Sequence, residues 1–458
     1  MNQFTFEARH KSVLLGFIGL GALCLVLTAL GDDEYLTRTW SNYLHNSVFF
    51  LGIGFVSIFV LTAFTTAYAG WHLMLQRVWE AFSSFLVPGL VLMLIVVAGV
   101  VLDWNHLYHW ADEASVATDT LMKGKSAFLN NTWYSLGTLL VVSTWAYFAY
   151  RYRTLSREED EQGTEEYTQY KRTKILSAIF LPIAGFSSAA MIWQWVMSVD
   201  AHWYSTLYAL YATASWFVAA MALTIMLLIW LKSRGYYENV TNEHFHDLGK
   251  YLFAFSVFWT YLWFSQYMLI WYANNGEETV YFQTRMTEYP VLYWGNLILN
   301  FILPFLILMR NDTKRKFGTL FFVSLIVILW HWFDYFQMIK PGVAHTAHEI
   351  HALHADAGHH DAETTTLDAS HGEAGHDDHA ADDHHGDDHA ATGHGDGDEG
   401  HHGHSSFQMG MTIPGLLEVG TLLGFLALFL YVALSSLSQA KLVPENHPFV
   451  RESEHHHT

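Results

Sequence analysis

Long apolar blocks with almost no charge constrain this sequence more than any other feature. Hydrophobic residues make up 52% of the chain and charged residues only 14%. A helix of about 20 apolar residues crosses the roughly 30 Å of hydrocarbon in a bilayer, whereas an open strand would leave its amides unpaired there. Ten such windows occur, at 11–30, 46–68, 84–103, 128–150, 174–199, 204–231, 249–272, 290–309, 317–339 and 411–434. The pattern predicts an all-α integral membrane protein with ten transmembrane helices in contact with the lipid bilayer.

The distribution of lysine and arginine orients these spans. With ten spans, 18 of the 23 basic residues fall on the side that holds both termini. The five on the opposite side are Arg38, Lys123, Lys125, Arg285 and Lys340. Positive charge accumulates on the cytoplasmic side, so both termini are predicted to be cytoplasmic in a bacterial inner membrane. The first span is predicted to be retained, because no small-residue cleavage site follows it.

Residues 344–404 differ from the rest of the chain. They contain 16 histidines, 15 acidic residues and no lysine or arginine. Such a segment lacks the apolar residues that would offset its chain entropy, so we predict a disordered periplasmic loop. It separates the helical region 1–343 from a last span and cytoplasmic tail at 405–458. Weak multivalent metal capture or proton buffering is one interpretation of the loop, and a solvated insertion without a role is the other.

Several classes of site are excluded by composition. Cys24 is the only cysteine, which rules out thiolate-held clusters, cysteine-based zinc sites, an internal disulfide and covalently attached haem. No basic patch with interleaved aromatic residues is present, so no nucleic-acid partner is predicted. His331 is interpreted as the only clearly intramembrane histidine, which disfavours a b-type haem. We predict no bound metal at a defined site and no cofactor held by this chain itself.

Ionisable side chains inside or beside the spans are candidates for function, because a charge in lipid is costly. His331 and Asp334 lie in span 9, and their i, i+3 spacing puts both on one helix face. Glu418 lies in span 10, while Asp200 and His202 close span 5. All five are predicted near the outer face and are candidates for proton transfer. Simpler interpretations stay open: helix ends meeting water for Asp200 and His202, headgroup contact for Glu418, and packing for His331.

Fewer candidate residues lie on the cytoplasmic side and in span 7. His72 and Arg77 follow span 2 on the cytoplasmic side and are candidates for the inner half of a proton path. Gln266 and Tyr267 in span 7 lie at a depth comparable to that of the outer group. The aromatic residues of span 7, among them Trp259, are interpreted as lipid or helix packing.

Three functions of different classes fit these groups. Protonatable groups without a redox centre suit quinol oxidation, in which protons are accepted locally while electrons go to a neighbouring centre. A proton- or metal-ion transporter, with the histidine-rich loop as an outer metal trap, is the second possibility. A purely structural scaffold is the third.

Three motifs resemble one family. They are the run VMSVDAHWYST at 196–206, the pair SQY and IWYANN at 265–267 and 270–275, and His331-x-x-Asp334. Together they resemble the F subunit of bacterial alternative complex III, which is similar to the NrfD-like polysulfide-reductase membrane proteins. The sequence departs from the family at Ala201, where the resemblance leads us to expect proline. The likeness implies two four-helix bundles, at about 46–199 and 204–339, flanked by spans 1 and 10.

The resemblance also implies a respiratory role. The family belongs to quinol:cytochrome c oxidoreductases whose haems and iron–sulfur clusters are held by partner subunits. The expected partners are a multihaem cytochrome, an iron–sulfur subunit and a related NrfD-like membrane subunit. In this family the F subunit is assigned a proton path or a quinone-binding region. On that analogy Gln266, Tyr267 and Tyr272 become candidates for a quinone pocket or for the proton path.

Overall fold

The computed structural model describes residues 3–162, 167–368 and 408–456, with the backbone alone at 162 and 351–368. The chain divides into two compact units. One comprises Met1–Ile350 with Gln408–Thr458, and the other comprises His351–Phe407. Every site considered below lies in the first unit.

Ten long helices overlap the ten predicted windows. They are α1 (Ala8–Leu30), α2 (Thr37–Thr66), α3 (Gln76–Val101), α4 (Asn131–Gln162), α5 (Thr168–Trp195), α6 (Thr206–Ser233), α7 (Asn242–Ala273), α8 (Pro290–Leu308), α9 (Phe317–Asp368) and α10 (Leu416–Leu437). All but α4 and α7 contain a stretch long and apolar enough to cross a membrane, which makes eight such helices among the described residues. The prediction of an all-α, multi-pass membrane protein is confirmed at this level.

α1 shows why these helices need lipid. Its outward side chains, among them Leu15, Leu23, Val26 and Leu30, are exposed in the isolated chain. Contiguous apolar surface of this kind is not tolerated in water and is typical of a lipid-facing helix. The opposite face of α1 packs along α10, where a Cβ placed on Gly21 would lie only 2.5 Å from Cα of Gly424. Glycine at both positions therefore lets the two backbones touch, as is common between membrane helices.

The remaining helices pack in two groups. In the first group, α2 contacts α3 and α5, α3 contacts α4, and α4 contacts α5. In the second, α6 contacts α7 and α7 contacts α8. α9 joins the second group through side-chain hydrogen bonds to α6, α7 and α8, and it reaches α2 through Trp332.

The polar side chains separate to the two ends of the first unit. We call the end at which α2 begins the outer end and the end at which α2 finishes the inner end. Ion pairs at the outer end join Arg38 to Glu418, Arg285 to Asp200 and His202 to Asp119. Those at the inner end join Arg77 to Asp160, Arg315 to Glu243 and His456 to Asp247.

The last long helix differs from the sequence prediction. α9 continues to Asp368, so residues 344–368, expected at the start of the histidine-rich loop, are helical. The sequence there is rich in alanine and histidine and has no proline or glycine between Val343 and Ala357, so nothing ends the helix locally. Residues 369–404 of the predicted loop lie outside the described residues. The last predicted window, 411–434, overlaps α10, which begins at Leu416.

Candidate proton-transfer site

Asp334 lies between four helices and its side chain is fully buried. Its carboxylate accepts hydrogen bonds from the Tyr211 hydroxyl of α6, from Nε1 of Trp259 on α7 at 3.0 Å, and from Nδ2 of Asn296 on α8 at 3.3 Å. Donors of this kind offset the cost of burying a carboxylate. Because the Tyr211 hydroxyl both donates and accepts, it can also pass a proton to or from the carboxyl group.

His331 shares the helix face of Asp334, as the sequence predicts, but the two side chains make no direct hydrogen bond. Nδ1 of His331 lies 3.9 Å from Oδ2 of Asp334 and instead bonds Oγ of Ser215 at 2.8 Å. Nε2 is buried and has no hydrogen-bond partner among the described residues. The ring packs edge-on against Trp259, with the centroids 5.3 Å apart. The pair is thus a shared polar site rather than a directly bonded dyad.

Four polar neighbours of Asp334 were not singled out from the sequence: Tyr211, Ser215, Asn296 and Gln337. Asn296 bridges the group, since Nδ2 also donates to Oε1 of Gln337 at 2.9 Å. An amide inside an apolar window was the available signal for both Asn296 and Gln337. The interpretation of Trp259 as packing alone is corrected, because its indole donates to Asp334.

A π-helical turn directly follows the α-helical segment that carries Asn296. α8 is α-helical over Pro290–Leu297, π-helical over Ile298–Ile302, and α-helical again from Leu303 to Leu308. Pro304 has no N–H to donate to the carbonyl of Asn300, and this missing bond loosens the helix at that turn. π turns of this sort often occur where a helix supplies side chains to a functional site.

A small cavity lies on the outer side of the Asp334 carboxyl group. Its volume is about 20 Å³ and it is lined by Asp334, Gln337, Tyr211, Tyr293 and Arg285, among others. This volume has room for a water molecule, which needs about 10–15 Å³ and two or more polar partners. Water there would join the buried carboxyl group to Arg285.

A second cavity, of about 100 Å³, continues from this point towards the outer end. Both cavities are lined by Tyr281 and Arg285, which separate them. Nη2 of Arg285 donates to Oδ2 of Asp200 at 2.8 Å, and its guanidinium lies 3.3 Å from the centre of the Tyr281 ring. Asp200 is thus not a free helix end that meets water, but the partner of a buried arginine. His202 lines the outer cavity and is 47% exposed.

Glu418 serves a different part of the outer end. Its carboxylate accepts from Nε and Nη2 of Arg38 at 2.8 and 3.0 Å and from Nδ2 of Asn42 at 3.0 Å. It also accepts from the backbone N–H of Gly415 at 2.8 Å, at the start of α10. The residue is 1% exposed, so it does not reach the headgroups. This geometry holds α10 to α2 and does not bring Glu418 to Asp334.

The two inner-end candidates lie apart from the outer group. Arg77 is buried and donates to Glu80 at 2.8 Å, to Asp160, and to the carbonyl of Ser156 at 3.3 Å. His72 is buried among aromatic rings, and burial lowers its pKa to about 3. A neutral imidazole in this position does not act as a proton acceptor near neutral pH.

Glu159, which lies beyond the predicted span 128–150, gives this cluster a pH dependence. The pKa of Glu159 is raised to about 8, chiefly by burial and also by the charge of Asp160, while Arg77 opposes the rise. The unfolded chain releases this proton near pH 4.5, so stability is lost as the pH rises from there through about 8. We expect Glu159→Gln to unfold like the wild type at pH 4 and to be more stable by about 4 kcal/mol at pH 8.5.

Unfolding in detergent at the two pH values tests this expectation. Glu161→Gln is the matched control, because Glu161 is exposed on the same helix end. An equal gain for Glu159→Gln at both pH values would contradict the assignment.

The quinone candidates of span 7 do not form one pocket. Gln266 is buried, and its Nε2 has no hydrogen-bond partner among the described residues. Tyr267 packs edge-on against Phe282, with ring centroids 5.4 Å apart. Tyr272 is 84% exposed and points away from the group around Asp334. Of the three, Gln266 alone has the buried, unused polar atom that a ligand could engage.

A buried histidine on α2 corrects the sequence interpretation. His45 on α2 is fully buried, and its Nε2 lies 2.9 Å from the carbonyl oxygen of Trp332. The sequence placed this residue just before span 2, but α2 begins at Thr37, and this brings His45 into the helix interior. His331 is therefore not the only histidine buried within the helices.

Neither the protein-family models nor the curated proteins with which the sequence was compared gave a match.

Proposed function

We propose that this chain is an integral membrane subunit of a respiratory quinol:cytochrome c oxidoreductase of the alternative complex III type. Its role there is to carry protons, and it has no redox cofactor of its own. The observation that carries the proposal is the buried Asp334 carboxyl group, held by donors from three helices and facing a water-sized cavity. A carboxyl group in this position can exchange protons with quinol chemistry in the same complex.

The proposed topology has ten spans in a bacterial inner membrane. α4 and α7, each of 32 residues, are the two further spans, since a helix of that length exceeds the thickness of the bilayer. Both termini are then cytoplasmic and the histidine-rich segment is periplasmic. The separation of Arg38, Asp200 and Glu418 from Arg77 and Asp160 supports this alternation.

The cavity dimensions beside Asp334 favour a proton path over a quinone pocket at this position. The space beside Asp334 is about 20 Å³, whereas ligand pockets are typically about 300–1,000 Å³. The proposed path runs from Asp334 through this cavity to the Arg285–Asp200 pair and into the outer cavity. Quinol would then be oxidised where this chain meets its partners, and the electrons would pass to haems and iron–sulfur clusters held by those partners.

Gentle detergent purification from the native membrane tests the proposal. We expect a multihaem cytochrome, an iron–sulfur subunit and a related membrane subunit to accompany the chain. A reduced-minus-oxidised spectrum should then show haem, and the preparation should oxidise quinol with cytochrome c as acceptor. A chain that purifies alone, colourless and inactive with quinol, would overturn the proposal.

A proton- or metal-ion transporter is the second candidate. The observation that favours it is a group of histidine and carboxylate side chains at the outer end, formed by His109, His202 and Glu349. Reconstitution of the chain alone in liposomes separates the two functions, because only a transporter would then carry metal ions or protons without partner subunits.

A further inference from the structure

Three side chains from distant parts of the chain meet at the outer end. His109 comes from the connection after α3, His202 from the turn between α5 and α6, and Glu349 from α9. One ligand atom of each lies within 4.8 Å of the other two. We propose that His109, His202 and Glu349 form a binding site for a divalent transition-metal ion, with zinc as the representative ion. Spacing along the chain does not reveal such a site, and the sequence predicts no bound metal.

The contact between His109 and Glu349 is the strongest part of the argument. Nε2 of His109 lies 2.7 Å from Oε2 of Glu349, yet neither atom makes a hydrogen bond of acceptable geometry. The His109 side chain is only 8% exposed, and it lines the outer cavity of about 100 Å³. A buried ring nitrogen and a carboxylate oxygen that are close but misaligned for a hydrogen bond can both turn towards an ion beside them, with a small increase in their separation.

His202 is held in place by its surroundings. Its Nε2 lies 2.6 Å from Oδ2 of Asp119, and Asp119 in turn accepts from the backbone N–H of Leu121 at 2.7 Å. Nζ of Lys125 donates to the carbonyl of Ala201 at 2.6 Å and braces the turn from the same side. A carboxylate behind a metal-bound histidine fixes its ring in this way, so Asp119 is a positioning residue.

The donor set suits zinc. Two imidazoles and one carboxylate are a common set of three protein ligands for Zn²⁺, with a water molecule in the fourth position. Ligand atoms at about 2.0–2.2 Å from the ion lie roughly 3.5 Å from one another. The three ligand atoms here lie within 4.8 Å of one another, so side-chain movements of about 1 Å bring them to that spacing. The fourth position faces the outer cavity, which has room for the water molecule. The carboxylate of Glu349 neutralises part of the added charge.

The test uses the full chain, and it must separate this site from the 16 histidines of segment 344–404. Zn²⁺ is titrated in the presence of a chromophoric zinc chelator that outcompetes isolated imidazoles. We expect the wild type to hold one tight equivalent and His109→Ala or Glu349→Gln to lose it. Asp119→Asn should keep the equivalent but bind it about 10–100-fold more weakly, as for other carboxylates behind metal ligands. A double variant, His376→Ala with His379→Ala, is the matched control in the histidine-rich segment and should retain it.

Thermal unfolding provides a second readout. A metal ion at this site joins three distant parts of the chain, so Zn²⁺ should raise the unfolding temperature of the wild type and of the control. It should not raise that of His109→Ala. Each variant is first unfolded without metal, and an unchanged midpoint shows that it folds. If Glu349→Gln does not fold, Glu349→Asp replaces it, because the shorter side chain withdraws the carboxylate from the ion. Retention of the tight equivalent in both His109→Ala and Glu349→Gln, or its absence from the wild type, would overturn the proposal. These readouts do not depend on the proposed respiratory role.

Discussion

Replacing Asp334 with asparagine is expected to slow quinol:cytochrome c turnover of the assembled complex by about 100-fold. The figure follows from the usual contribution of one positioned acid–base group. Asparagine keeps the size of the side chain but has no exchangeable carboxyl proton. Turnover of the purified complex and proton release from proteoliposomes measure the effect. Loss of both together would place Asp334 on the path that turnover requires, whereas loss of proton release alone would show uncoupling.

The substitution also disturbs hydrogen bonding, and the controls must account for this. The carboxylate accepts from Tyr211, Trp259 and Asn296, whereas an asparagine side chain offers one acceptor oxygen and would turn its amide towards a donor. We expect a stability loss of about 1–3 kcal/mol from this mismatch. Tyr211→Phe removes one donor but keeps the carboxyl group, so it should cost stability and slow turnover less than Asp334→Asn.

Asp312→Asn is the matched control, because Asp312 is 72% exposed at the inner end and makes only a long contact to Arg310. It should leave turnover unchanged. If Asp334→Asn folds, assembles with its partners and turns over at the wild-type rate, Asp334 is structural and the scaffold interpretation is favoured. That outcome would leave the metal site unaffected, since His109, His202 and Glu349 do not contact Asp334.

The sequence predicts individual residues of the Asp334 site better than it predicts which residues lie next to one another. The i, i+3 spacing places His331 and Asp334 on one face of α9, and the structure agrees. It does not identify Tyr211 or Trp259 as partners of Asp334, because many polar and aromatic positions of spans 6 and 7 could face α9. Helix rotation decides which of them do so. That rotation is set by packing across the whole bundle and not by any local pattern.

Local chemistry was informative where a single residue changes the backbone. Pro304 could be expected to disturb its helix, but the π turn over Ile298–Ile302 depends on how the neighbouring helices accommodate the extra residue. At α10, Glu418 folds back onto the start of the helix and accepts from the backbone N–H of Gly415, a local contact that the predicted span 411–434 did not include. Its pairing with Arg38 joins residues too distant in the chain for any pattern to reveal.

The ion pair between Arg38 and Glu418 is expected to contribute strongly to stability. Glu418→Gln should lower the free energy of unfolding by about 3–5 kcal/mol, the usual loss when one partner of a buried ion pair is removed. The reason lies in the cations around it. Nζ of Lys340 is fully buried and donates to Oγ of Ser41 at 2.7 Å and to the carbonyl of Arg38 at 3.3 Å. Without the charge of Glu418, Lys340 and Arg38 remain as two neighbouring cations at the outer end.

A double-variant cycle tests this explanation by unfolding in detergent. Adding Lys340→Met to Glu418→Gln removes the buried ammonium, so the double variant should recover most of the lost stability. Glu34→Gln is the control, because Glu34 is exposed close to the start of α2 and should change the free energy of unfolding by less than about 0.5 kcal/mol. The opposite outcome is a Glu418→Gln variant with the wild-type free energy of unfolding but without proton-coupled turnover. Glu418 would then belong to the proton path, and its role in holding α10 to α2 would be refuted.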